Sequence, residues 1–300
     1  MPLSNFPNGF SNGVAIRNMP VLNTYGGNVF WVDSGGGSNG NNGTFGQPFG
    51  TIDYAVGRCT ANNGDVIMVK PGHAEVVSAA GGLDVDVAGV TIVGLGDGAA
   101  TPTVTLDTAI TADVDIDAAN VTIENIHFVS GFADITACID VNAQNCTIRG
   151  CRFTESADNE NFLICVLGGT TTVSSGLTVE GCYALQDDAS NTHFINVPGT
   201  PKGDIYRNNL LHGDWGTMAI GGAGIATFLT IADNVIYNAA STSDGCINVA
   251  ATATGAIVRN ICGGAAVQAN GVASGDCIAA ENYYGVSTED LSAILDPIAT

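Results

Sequence analysis

A chain of 300 residues, 45% of them hydrophobic, can bury one large core, and no shift in composition marks a second domain. Charged residues are only 12% of the chain while Gly occurs 40 times, a mix that disfavours long amphipathic helices and favours strands and tight turns. With 29 acidic residues against 8 basic ones and a formal net charge of −21, the surface repels phosphate backbones, so nucleic acid and anionic membranes are excluded as expected partners.

Residues 1–28 read as an irregular arm rich in Asn and Gly, with no core of its own. Its start, Met1-Pro2-Leu3-Ser4-Asn5, lacks the basic residues and apolar run of a cleaved export signal, so secretion by that route is not expected. Nowhere does the chain approach the ~18 consecutive apolar residues of a membrane-spanning helix, and a soluble protein is expected. A first strand is predicted at Val29 to Val32. Near 51–61 a short helix follows, with Ile52, Ala55, Val56 and Cys59 on one stripe, suited to cover an exposed sheet edge.

From there a repeat dominates. The triplets Val90-Thr91-Ile92, Val121-Thr122-Ile123, Cys146-Thr147-Ile148, Leu177-Thr178-Val179, Asp204-Ile205-Tyr206, Leu229-Thr230-Ile231 and Ala256-Ile257-Val258 recur at intervals of 31, 25, 31, 27, 25 and 27 residues. Two positions after the last six come Asn125, Gly150, Gly181, Asn208, Asp233 and Asn260, types that tolerate a left-handed corner. A second ladder, Val114, Ile139, Ile164, Ile195, Ile220 and Ile247, keeps nearly the same period, with polar Asp115, Asp140, Asn196 and Asn248 beside it. Such alternation buries one face of a strand and exposes the other. A unit of ~25 residues with two or more strands cannot bury its own apolar side and must stack on the next.

The prediction is an all-β, right-handed parallel β-helix over 29–286, with seven or eight coils between Leu83 and Tyr284, the arm 1–28 before it and a tail 287–300 after it. At a strand spacing of ~4.8 Å those coils make a rod ~35–40 Å long. Ser287 to Leu295 is expected to form a brief helix ahead of Pro297. Glu124, Arg149, Glu180 and Arg207 should face one another across neighbouring strands, each pair worth ~0.2–1 kcal/mol. Nine Cys without CxxC spacing suit small buried thiols rather than a disulfide scaffold.

The opening Asn28-Val-Phe-Trp-Val-Asp-Ser34, the loop with Gly43-Thr44-Phe45 and Pro48-Phe49-Gly50-Thr51-Ile52, then Gly64-Asp65-Val66-Ile67 and Val69-Lys70-Pro71-Gly72, resembles the start of pectate-lyase-like β-helix proteins. The preceding arm, with Asn8-Gly9-Phe10, Arg17 and Pro20-Val21-Leu22, adds a similarity to β-helical virion proteins of tailed bacteriophages, both tailspike-like proteins and related capsid decoration proteins. The resemblance implies a homotrimer fixed to a capsid or tail. It leaves the role open, because function sits in grafted sites.

Among candidate chemistries, Asp187-Asp188 near His193 is an adjacent carboxylate pair, weighed against a solvated turn. Asp84, Asp86, Asp113, Asp115 and Asp117 place carboxylates on adjacent outer strands, where Ca²⁺ would relieve their repulsion; the alternative is a wet acidic face screened by salt. His73, His127, His193 and His212 lack metal-ligand spacing, and Gly94-x-Gly96-x-Gly98 reads as a corner rather than a phosphate loop. Trp31, Phe45, Phe49 and Tyr54 offer either a sugar platform or packing for the cap helix. Only Arg149, Arg152, Arg207 and Arg259 fall on the main coils, too few for a lyase that must hold acidic sugars. On that inventory no residue is assigned a catalytic, cofactor-binding or metal role, and the chain is expected not to be an enzyme. The expected role is a homotrimeric capsid decoration or cement protein on the outer capsid surface of a virion, bound to the major capsid protein and itself, with a glycan as a further partner. The alternative is a tailspike-type glycan-binding or polysaccharide-degrading protein.

Overall fold

The computed structural model describes residues 14–16, 19–21, 26–240, 245–264, 271–286 and 293–295. It is a parallel β-helix in which each coil contributes a short strand to each of three sheets. Sheet 1 has eight strands, from Leu83–Asp84 and Val114–Ile116 to Val272–Ala273. Sheet 2 has ten, from Val29–Val32 and Val66–Val69 to Ile278–Ala280. Sheet 3, also of ten, begins at Ala74–Val77 and includes Asn282–Val286, on which Ala293–Leu295 closes antiparallel.

The inward positions stack in columns, which is what binds one coil to the next. In sheet 2 the column runs Ile67, Ile92, Ile123, Ile148, Val179, Tyr206, Ile231 and Ile257, each paired with the next. In sheet 3, Phe128 and Phe153 stack with centroids 5.4 Å apart, and Phe194 from sheet 1 meets Phe153 edge-on. Neighbouring coils thus share one continuous apolar interior rather than separate cores.

Two corners impose the repeat. Between sheets 2 and 3 a two-residue turn begins with a left-handed residue at Asn125, Gly150, Gly181, Asn208, Asp233, Arg259 and Glu281. The second turn residue points inward, where Asn209, Asn234, Asn260 and Asn282 form an amide ladder. Each side-chain Nδ2 donates to a backbone oxygen of the coil below, Val179, Tyr206, Ile231 and Ile257 respectively. In earlier coils Cys151 and Cys182 hold the same place and their thiols reach Ile123 and Ile148 carbonyls, so these cysteines are small donors in a ladder. All nine Cys are free thiols and eight of them are buried.

Some expected registers shift. Arg259 rather than Asn260 takes the left-handed corner, because Asn260 is needed inside the ladder, and Ile231 pairs with Ile257, which places the last triplet one residue earlier. In sheet 1, Ile139 pairs with Val166 and Val166 with Ile195, so Val166 replaces Ile164 in that apolar column. Asp204 is tolerated inside because its carboxylate accepts from Gly176 N, Leu177 N and the Tyr206 hydroxyl at 2.9, 3.2 and 2.8 Å.

The expected cap is a five-residue helix, Ile52–Val56, with Thr51 accepting from Tyr54 N and Glu75 accepting from Ile52 N. Its Asp53 accepts from Asp84 N, so the helix covers the otherwise open edge of sheet 1. Within the arm, expected to be irregular, Val14–Ile16 and Met19–Val21 pair as an antiparallel hairpin. Where a helix was expected at Ser287 to Leu295, residues 293–295 form a strand and 287–292 lie outside the described residues. Cross-strand ion pairs join Arg149 to Glu124 at 2.7 Å and Arg207 to Glu180 at 2.9 Å, as the alternating charges predict.

Candidate functional site on the outer face of sheet 1

Because side chains alternate along each strand, a single outward column runs the length of sheet 1: Asp84, Asp115, Asp140, Leu167, Asn196, Gly221, Asn248 and Ala273, each in register with the next. Three carboxylates are therefore stacked on consecutive coils, about one ~4.8 Å strand spacing apart. Asp113 lies two residues before Asp115 and accepts from Gly81 N at 2.6 Å.

Crowding and partial burial raise the proton affinity of these groups. The Asp115 carboxyl is pushed up to about 6, first by burial and then by the charges of Asp113, Asp140, Asp117 and Asp84. Asp84 is raised by burial and by Asp86, Asp117 and Asp53, and its Oδ1 has no hydrogen-bond partner. Burial likewise raises Asp113, against the Gly81 bond, and Asp140, against a bond with Asn142. Like charges this close oppose full ionisation, so Asp115 takes up a proton more readily than an isolated carboxyl. None of the sheet 1 strands carries Lys or Arg.

Further along the column, between Asn196 and Asn248, the surface opens into a trough of about 630 Å³ lined by His193, Thr217, Met218 and Gly222 as well as by both Asn. His193 is only 9% exposed, its Nδ1 has no hydrogen-bond partner, and burial lowers its pKa to about 4, so the ring is neutral at pH 7.

The acids singled out in the sequence are thus brought together, and Asp140, not grouped with them there, joins through its register with Asp115; the 25-residue spacing of the two was the available signal. They form a column rather than a cage, and among the described residues no three His, Cys, Asp or Glu are grouped so as to hold a metal ion. Asp187 and Asp188 donate backbone N–H groups to Glu155 at 3.1 and 3.2 Å and form a turn; they do not reach the His193 Nδ1. The four histidines are dispersed: His73 lies against Glu75, His127 against Thr154 and His212 against Tyr237, all on sheet 3 or its entry. Gly96 and Gly98 have positive φ at a corner, followed by a single 3₁₀ turn. Phe49 is buried and packs on Tyr54 of the cap, whereas Trp31 meets the exposed Phe45, with Lys70 over its ring.

No family model matches the sequence, and no curated protein matches it. Among solved structures, a rhamnogalacturonan lyase aligns with a TM-score of 0.51 and 14% identity, covering 85% of this chain and 87% of its own. The fold is that of pectate-lyase-like β-helices. The GH136 lacto-N-biosidase from Eubacterium ramulus is similar at 12% identity, with TM-scores of 0.46 for the native protein and 0.38 for the selenomethionine derivative, over 86% of this chain and 68% of its own. The rhamnogalacturonan lyase is an enzyme built on this fold, and it corrects the expectation that the chain is not one: the fold leaves such an activity open. That expectation counted cations, and hydrolysis of glycosidic bonds by paired carboxyls does not depend on them.

Proposed function

We propose that the chain is a glycan-binding and polysaccharide-degrading β-helix protein, whose substrate lies along the outer face of sheet 1. The observation that carries this reading is the in-register column Asp84, Asp115 and Asp140, in which a carboxyl titrating near 6 sits between two others. A protonated carboxyl beside an ionised one is the pair that glycoside hydrolysis requires, the first to protonate the leaving oxygen and the second to attack or to activate water. One strand spacing, ~4.8 Å, is close to the ~5–5.5 Å of nucleophile and acid pairs in retaining enzymes. Asp115 is the proton donor in this scheme, and Asp140 or Asp84 its ionised partner. Hydrolysis is favoured over elimination because no cation on sheet 1 is available to hold a uronate carboxylate.

The test is release of reducing ends from a panel of neutral and acidic polysaccharides by the purified protein. Cleavage is expected without the ultraviolet absorbance of an unsaturated product, and its loss is expected in Asp115→Asn. Absence of cleavage across the panel would overturn the reading.

A second reading concerns display. Leu210, Val235, Ile261 and Tyr283 form an exposed column on the outer face of sheet 3, without charge in a chain of net −21. Such a strip suits contact with further copies of the chain. It supports self-association, and the proposal extends this, through the resemblance alone, to a homotrimer of the tailspike kind on the outside of a virus particle with the major capsid protein as a partner. Light scattering after size exclusion tests it: a trimer that Ile261→Lys dissociates is expected, and a wild-type monomer speaks against it.

A further inference from the structure

The carboxylate column accounts for one end of the sheet 1 face, and the trough at the other end has a different chemistry. In a protein with 29 acidic residues, no acidic or basic side chain among the described residues lines it apart from His193. Its polar groups are the Asn196 and Asn248 amides, two rungs apart on either side of Gly221, and His193. Each amide offers both donors and acceptors. Met218 supplies an apolar wall, and Ala223 and Ala251 form a low, exposed rim. A side chain is excluded from the trough at Gly222, where a Cβ would lie 2.6 Å from the Val197 carbonyl oxygen and 2.7 Å from the Asn196 amide oxygen.

A ligand suited to this surface carries hydroxyls for the amides and an apolar face for Met218, and carries no charge. An anionic group would find no cation here and would lie along the same face as the acids; a cation would be drawn to the column instead. The His193 ring adds a neutral wall, nine-tenths buried, with its Nδ1 shielded from solvent. We infer that the trough is a subsite for an uncharged pyranose unit of the glycan, held by Asn196, Asn248 and His193, and that it restricts the substrate class to neutral polysaccharides. This inference rests on the reading of the column as the place of cleavage.

Asn196 is two strand spacings from Asp140 and Asn248 four, ~10 and ~19 Å. One sugar unit cannot touch both regions, so longer oligomers must bind better than disaccharides. Calorimetry of the Asp115→Asn protein with neutral hexose oligomers of increasing length, and with oligogalacturonate as the charged control, reads this directly. Expected are affinities that rise with length for the neutral series, oligogalacturonate at least about tenfold weaker, and about a tenfold loss on adding Ala251→Trp, the effect of removing one or two buried hydrogen bonds. Ala223→Trp, on the opposite rim, repeats the block should the first variant misfold, with circular dichroism as the check.

Equal binding by the blocked and open proteins, or preference for the charged oligomer, would overturn the subsite. Cleavage by wild type with an unchanged KM in Ala251→Trp would overturn the subsite and leave the cleavage reading intact. Binding to the trough without any cleavage by wild type would do the reverse.

Discussion

Asp115 and Asp140 sit opposite each other on adjacent parallel strands, one rung apart on the outer side of sheet 1. Two carboxylates in that position destabilise the folded chain when both are ionised, a cost that a purely structural rod has no reason to keep. Replacing Asp115 with Asn is therefore expected to lower the rate of glycan cleavage at least ~10²-fold while raising the melting temperature at pH 7. Kinetics and calorimetry on the same preparation check both; a variant that is inactive and also less stable would point to a structural role.

The buried Asp204 makes a pH prediction. Burial pushes its carboxyl up to about 6 from 3.8, even though it accepts bonds from Tyr206, Leu177 and Gly176. The folded chain therefore holds a proton that the unfolded chain has released between these values. The contribution is present in full below pH ~3.8 and is lost as pH rises through ~6, by about 3 kcal/mol. Urea unfolding at pH 4.5 and 7 should show this slope, and Asp204→Asn should flatten it.

Within the amide ladder, Asn234 bonds Asn209, Asn260 and the Tyr206 carbonyl at 2.9–3.1 Å. Asn234→Ala leaves those buried groups without partners and is expected to cost ~2–4 kcal/mol. Asn234→Cys should recover part of the loss, since Cys151 and Cys182 perform the same task three and two coils earlier. Denaturant midpoints compare the three proteins.

The corner before seven consecutive sheet 2 strands takes a left-handed residue, which is Gly64, Gly89, Asn120, Asn145, Gly176 and Gly203 in turn, and then Phe228 at φ 57 with 77% of its surface exposed. A bulky residue is strained in that region. Phe228→Gly is expected to stabilise the chain by about 1 kcal/mol, read as a higher denaturant midpoint.

How far the sequence discloses this molecule depends on whether a feature is periodic. Ile123 and Ile148 are legible as neighbours because alternation fixes their face and the 25-residue interval fixes their coil. Ile164 misleads because the coil is longer and two apolar residues, Ile164 and Val166, compete for one inward place; Ile164 is only half-buried, while Val166 is fully buried. Asn260 misleads because its residue type suits a left-handed corner, yet the hydrogen bonds of the ladder are worth more inside, and Arg259 accepts the strain. The acidic residues were visible, but their stacking needed the register of Asp84 on Asp115 and Asp115 on Asp140. The trough was not legible at all, since it is a shape left by Gly222 and small alanines between two amides, and an absent side chain has no pattern.

The change from carboxyl to amide along the outward column, made once across Leu167, gives the rod a front and a back. A sugar polymer also has two unlike ends, so its two ways of lying on this face are not equivalent. Whichever orientation seats a neutral unit between Asn196 and Asn248 sends the same end of every chain past Asp115, and successive cuts would shorten the polymer from one direction only.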